Sequence, residues 1–204
     1  MNTLLKRLGI VLASMLLFIA CTANAASVKE LLQQANDPVL GNPKGDVTIV
    51  EFFDYQCSHC IDMAPVLTAI LKANPNVRLV LKEFPIQGAA SDIAARVALA
   101  ARQQDKYAEM HVALFTLPQP LSEASILQSA KDNNLDMAKL KKDMASSIIL
   151  NQLASNRRLG IALKLRGTPA FYIGKTHAIN FNDMTFILGE MSQTQVQNTI
   201  DKLH

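Results

Sequence analysis

Apolar residues fall on both parities of Val47-Thr48-Ile49-Val50-Glu51-Phe52-Phe53, a run of β-branched and aromatic side chains broken only by Glu51. That pattern predicts a central strand covered on both faces. After Asp54-Tyr55-Gln56 and Cys57-Ser58-His59-Cys60 the period changes: Ile61, Ala64, Leu67 and Leu71 recur at helical spacing. The helix runs to about Ala73, with a kink expected at Pro65 and a stop at Asn74-Pro75-Asn76. A second strand, Val77 to Phe84, ends at Pro85, and a strand, helix, strand series is by default a right-handed parallel unit. From Ser91 to Lys164 the periodicity is helical throughout. Segments at Ser91–Gln103, Lys106–Phe115, Ser122–Asn133, Met137–Met144 and Ser146–Leu163 predict a helical insertion over about 89–164 of an α/β domain. Strand character returns at Ala170–Ile173 and near Thr185–Leu188, while Gly174–Asp183 carries no assignable period. Gln193–Leu203 closes the chain as a helix. Before the first strong strand, Ser27–Asn36 reads as a short amphipathic helix, and Asp37-Pro38 with Gly41-Asn42-Pro43-Lys44-Gly45-Asp46 as a turn-rich approach.

The first segment stands apart from this domain. Lys6 and Arg7 precede an uncharged apolar run, Leu8 to Ala20, and Ala23-Asn24-Ala25 forms an A-x-A cleavage site before Ala26. Residues 1–25 therefore read as an export signal and 26–204 as the mature chain. The apolar run is shorter than the about 20 residues of a membrane span. Leu17-Phe18-Ile19-Ala20-Cys21 offers an alternative, a lipoprotein box in which Cys21 is the anchor. Cleavage after Ala25 leaves 18 basic against 17 acidic residues, and so small a net charge argues against a nucleic-acid binder. It also leaves Cys57 and Cys60 as the only thiols of a protein sent to an oxidising compartment. Two cysteines so close in sequence constrain almost no chain, which excludes a structural disulfide framework.

The position of the pair carries chemistry. Cys57 falls at a helix start, where unpaired backbone N–H groups and the positive end of the helix dipole favour a thiolate. One helical turn returns Cys60 to within disulfide range. A zinc site would need four ligands, and the mature chain has no second cysteine pair or spaced histidine pair.

Glu51-Phe52-Phe53, Cys57-x-His59-Cys60, Lys82 in the next strand, the helical insertion and Gly167-Thr168-Pro169-Ala170-Phe171 together resemble the DsbA-type thiol:disulfide oxidoreductases of the thioredoxin superfamily. The resemblance spans most of the mature chain. It implies a thioredoxin-like α/β fold with an inserted α-helical domain, in the periplasm. Cys57 is then the nucleophile and Cys60 the resolving thiol. His59 stands beside the thiolate, Thr168-Pro169 forms a cis-proline loop that meets the client, and Glu51 and Lys82 pair beneath the dithiol to handle the proton of Cys60. No metal and no cofactor beyond the Cys57–Cys60 disulfide is implied. The implied partners are reduced or unfolded secreted proteins and a quinone-linked membrane reoxidant of the DsbB type. Two residues depart from the best-known pattern: Ser58 replaces a proline, and Thr168 stands where several members have valine and the isomerase branch often has threonine. A disulfide isomerase or reductase is the alternative enzyme, although residues 26–46 are too few for the dimerisation domain such proteins usually carry. A peptide-binding surface lipoprotein anchored at Cys21 is the non-catalytic alternative.

Overall fold

The computed structural model describes residues 26–203; the expected export signal and Cys21 lie outside them. Strand β2 (Val47–Phe53) is buried at every position, as a strand apolar on both parities must be. It pairs in parallel with β3 (Val77–Glu83) on one side and antiparallel with β4 (Ala170–Lys175) on the other. Two short strands, β1 (Val39–Gly41) and β5 (Met184–Leu188), complete a sheet of order β1-β3-β2-β4-β5.

Strand β1 was not expected. Turn residues on both sides leave only Val39 and Leu40 with strand character, too few for a periodic signal. Pairing with β3 supplies what propensity does not, through the register Val39↔Val80, Leu40↔Leu79 and Gly41↔Arg78. Gly41 ends the strand at φ +74, where a Cβ would stand 2.7 Å from the Val77 carbonyl oxygen, so any larger residue is barred by both conformation and space. Of the unassigned stretch 174–183, Gly174 and Lys175 end β4 and the rest is the connection to antiparallel β5, with a 3-10 turn at Phe181–Asp183.

Helix α2 (Ser58–Ala73) runs straight out of β2 and passes through Pro65 without ending. It buries Cys60, Met63, Leu67 and Ile70, one stripe at helical spacing, against one face of the sheet. Each such side chain contributes about 1.5–3 kcal/mol by leaving water. Helix α8 (Gln193–Asp201) packs beside it through Val196 and Ile200. The insertion consists of α3 (Ala89–Arg102), α4 (Tyr107–Phe115), α5 (Glu123–Asp132), α6 (Met137–Met144) and α7 (Ser147–Ala162), close to the five predicted segments. Its Ala-rich α3 is the central helix, and its small side chains admit the close approach of α4, α5 and α6.

The opposite face of the sheet carries a second, smaller core of Val50, Phe52, Val80, Phe84, Ala170 and Tyr172. Helix α1 (Val28–Leu32), capped by a Ser27–Glu30 box, covers it together with Leu159 of α7. Gly160 lets α7 close over this core, since a Cβ there would stand 2.5 Å from the Phe84 ring.

Candidate active site

Cys57 is the N-cap of α2, with an extended backbone (φ −78, ψ 115), and its carbonyl accepts the first helical bonds from Cys60 and Ile61 at 3.0 Å each. Both thiols are buried, but unequally: Cys57 is 4% exposed and Cys60 has no exposure at all. The Thr168–Pro169 peptide bond is cis, as expected. It brings the Thr168 carbonyl to 3.2 Å from Cys57 Sγ, which donates to it in the thiol form.

These surroundings split the two thiols. Cys57 is lowered to about 5, first by the hydrogen bond from the Cys60 thiol and then by the Thr168 side chain and the N–H groups of Cys60 and His59, against the opposing effect of burial. Cys60 is pushed far above the thiol range by burial, by its bond to Cys57 and by the nearby Glu51 carboxylate. Glu51 itself rises to about 8 because it is fully buried and because a Cys57 thiolate repels its charge. Its Oε1 has no hydrogen-bond partner.

Lys82 is not in this site, which corrects the expected pairing with Glu51. In the parallel register Glu51 lies beside Leu81, and it is Phe52 that lies beside Lys82, so the two charged side chains leave opposite faces of the sheet. Lys82 lies in the smaller core, where its ammonium pairs with Asp37 and donates to the Glu30 carbonyl at 2.8 Å. Burial pulls Lys82 downward. The pair ties α1 and the following segment to the sheet. Lys82→Met is accordingly expected to lower stability by about 3 kcal/mol, the cost of orphaning one member of a buried pair, without moving the Cys57 pKa. Urea unfolding and ultraviolet thiolate absorbance check the two halves; an altered Cys57 pKa would restore a role for Lys82 at the dithiol.

His59, in the first turn of α2, also departs from expectation. Its ring turns outward and its Nδ1 pairs with Glu190, both side chains being well exposed. This bond, more than any other influence, raises His59 above its usual value.

A buried polar cluster adjoins the dithiol that the sequence pattern did not reveal. Glu83 Oε1 accepts from Tyr55 at 3.0 Å and Tyr107 at 2.8 Å, and Tyr55 Oη meets His111 Nδ1 at 3.0 Å. Since Tyr55 gives its proton to Glu83, His111 acts as the donor to Tyr55, and burial keeps that imidazole neutral with a value near 3. Asp54 accepts from the backbone N–H groups of Gln56, Ile86 and Gln87 and from Ser91 Oγ at 2.7–2.9 Å. The turn leading into Cys57 is thus fixed to β3, to the start of α3 and, through Tyr107 and His111, to α4. One signal was present: β3 carries three charges, and Glu83, unlike Arg78 and Lys82, falls on the parity facing the dithiol.

Residues 48–201 match the family of DSBA-like thioredoxin domains. The chain belongs to that family. The DSBA-like fold is shared closely with a thioredoxin-like oxidoreductase from Silicibacter pomeroyi, 39% identical, with a TM-score of 0.80 over 87% of this chain and 97% of that one. The catalytic domain of Proteus mirabilis ScsC is 26% identical, with a TM-score of 0.75 over 86% of this chain and 93% of its own. Among curated proteins, the thiol:disulfide interchange protein DsbA of Bordetella pertussis is 26% identical over 144 residues, 68% of either chain. A Na(+)/H(+) antiporter, NhaA 3 of Salinispora tropica, is 28% identical over 149 residues, which are 72% of this chain but 23% of the antiporter. The chain spans about a quarter of that relative, and among the described residues no helix is long and apolar enough to cross a membrane. Cys57 and Cys60 are therefore the C-x-x-C pair of a DsbA-like thiol-disulfide oxidoreductase family member.

Proposed function

We propose that the protein is an exported thiol:disulfide oxidase that passes the Cys57–Cys60 disulfide to reduced secreted proteins. The observation that carries this reading is the split between the thiols, Cys57 lowered to about 5 and Cys60 held above the ordinary range. A client thiolate attacks Cys57 Sγ, the Cys57–Cys60 bond breaks, and Cys60 leaves and takes a proton. Glu51, buried and protonated up to about 8, is the donor, and solvent restores its proton. A second client thiolate then attacks the client sulfur of the mixed disulfide, and Cys57 leaves as a thiolate, the better leaving group. The client loses two electrons and two protons; the protein gains both electrons, one proton goes to Cys60 and the other to solvent.

The client would lie across Thr168-Pro169 and the free edge of the sheet, where Phe186 and Leu188 of β5 expose apolar surface and Leu188 pairs with Ala170 just after the cis-proline. A quinone-linked membrane protein of the DsbB type is the proposed reoxidant, and the periplasm the proposed compartment; an intact mass starting at Ala26 supports export, and a lipidated Cys21 replaces it with a membrane anchor.

Equilibration of the mature protein with glutathione, followed by mixing with a reduced client, tests the reaction. A thiolate two units below neutrality displaces the equilibrium toward the reduced pair by about 100-fold, or roughly 59 mV, relative to an un-ionised thiol. Rapid disulfide transfer to the client is expected. A disulfide that resists glutathione, and a reduced form that instead cleaves client disulfides, would make the protein a reductase.

A further inference from the structure

Glu190 is an exposed acid in the loop between β5 and α8, yet its position is fixed by its neighbours. Gly189, at φ +92, donates its N–H to the Pro169 carbonyl at 2.8 Å, and the Met191 N–H donates to Met63 Sδ of α2 at 3.2 Å. The loop is therefore fastened on one side to the cis-proline segment and on the other to the helix that carries the dithiol. Between these two anchors the Glu190 carboxylate pairs with His59, whose side chain is 64% exposed against 44% for Glu190. Asp62 and Cys57 are the other charged or titratable groups that act on His59, and both act more weakly than Glu190. The principal influences that lower Cys57 are hydrogen bonds from Cys60, Thr168 and the backbone, and the imidazole ring is not one of them.

We propose that Glu190 is a positioning residue for the dithiol: its carboxylate holds the His59 imidazole at the rim of the site, away from Cys57 Sγ, and thereby limits how strongly the pair oxidises. Near the pH at which Cys57 ionises, His59 is a cation whether or not Glu190 is present. Bound to a carboxylate, that cation presents almost no net charge to the thiolate. Released, an exposed ring on a rotatable side chain is free to turn toward the sulfur, and its positive charge then favours ionisation. The β5–α8 loop thus acts as a setting for redox strength.

This inference rests on the redox reading of the dithiol, and its test is independent of client oxidation. The Cys57 pKa is read from the pH dependence of alkylation of the reduced protein, in wild type, Glu190→Gln, Glu190→Asp, His59→Leu and the His59→Leu/Glu190→Gln double variant. Glu190→Gln is expected to lower the Cys57 pKa by about half a unit, the size of one uncompensated charge at a solvated site, and to shift the glutathione equilibrium about threefold toward the reduced protein. Glu190→Asp should retain the wild-type value, and the glutamine substitution should have no effect once His59 is leucine. No shift in Glu190→Gln, or a shift of equal size in the His59→Leu background, overturns the proposal. A wild-type dithiol that ionises normally yet oxidises no client would overturn the oxidase reading instead, so the two failures are distinguishable.

Discussion

Cys57→Ser is expected to abolish disulfide transfer to a reduced client, whereas Cys60→Ser is expected to accumulate covalent adducts between the protein and its substrate. The difference follows from placement on one helical turn. Cys57 Sγ lies at the N-terminus of α2 beside Thr168, with the only surface access of the pair and a pKa of about 5. Cys60 has no access and remains protonated at any physiological pH. With Cys60 removed, Cys57 still forms a mixed disulfide with oxidised or activated thiols, and no neighbouring thiol can resolve it. With Cys57 removed, the remaining thiol is neither reachable nor ionised, so attack is slowed by many orders of magnitude. Non-reducing gels of each variant after incubation with a disulfide-containing client, whose own disulfide Cys57 attacks with release of the second client thiol, report the adducts. Adducts formed by Cys57→Ser and not by Cys60→Ser would reverse the assignment of the two cysteines.

The parts of this site that were legible in the sequence are those set by local chemistry. Strand β2 and helix α2 declare themselves by a change of hydrophobic period, and the Cys57 position follows from where that change falls. The Thr168-Pro169 segment was recognisable because a short motif carries its context with it. The relation between Glu51 and Lys82 was not legible, because two charges on neighbouring strands share a face only if the register allows it, and a shift of one residue inverts the outcome. The Glu83, Tyr55, Tyr107 and His111 cluster is assembled from the turn after β2, from β3 and from α4, which α2 and α3 separate in sequence, with no spacing rule to connect them. Glu190 is likewise one acid in a polar loop, and only the anchoring of Gly189 and Met191 gives it a place opposite His59. Strand β1 is a further case: its three residues become a strand through pairing with β3, and nothing in their own propensity requires it.

The relative stability of the two redox forms is expected to depend on pH strongly enough to change sign. A disulfide closing so short a ring favours the oxidised form by at most about 2 kcal/mol through the entropy of the unfolded chain. Ionisation of Cys57 works in the opposite sense. Its folded pKa of about 5 lies below the ordinary value of 9.0, so its contribution to the stability of the reduced protein is complete above the unfolded pKa and is lost as pH falls through the folded one. Across that window each unit is worth at most about 1.4 kcal/mol, and allowing for loss of about half to solvent screening, some 2 to 3 kcal/mol has accumulated by about pH 8.5. Glu51 reduces this slope somewhat. A carboxyl raised from 4.5 to about 8 removes stability as pH rises between those values, but the leading cause, burial, is common to both redox forms, and only the repulsion from the Cys57 thiolate distinguishes them. At pH 5 the oxidised protein should therefore match or exceed the reduced one, and near pH 8.5 the reduced protein should be the more stable, the reverse of an ordinary structural disulfide. Urea unfolding of both forms at the two pH values measures the crossing. By linkage, a reduced form favoured on folding is an oxidised form that readily gives up its disulfide. An oxidised protein that remains the more stable at pH 8.5 would place the folded dithiol among reductants and remove the basis for the oxidase.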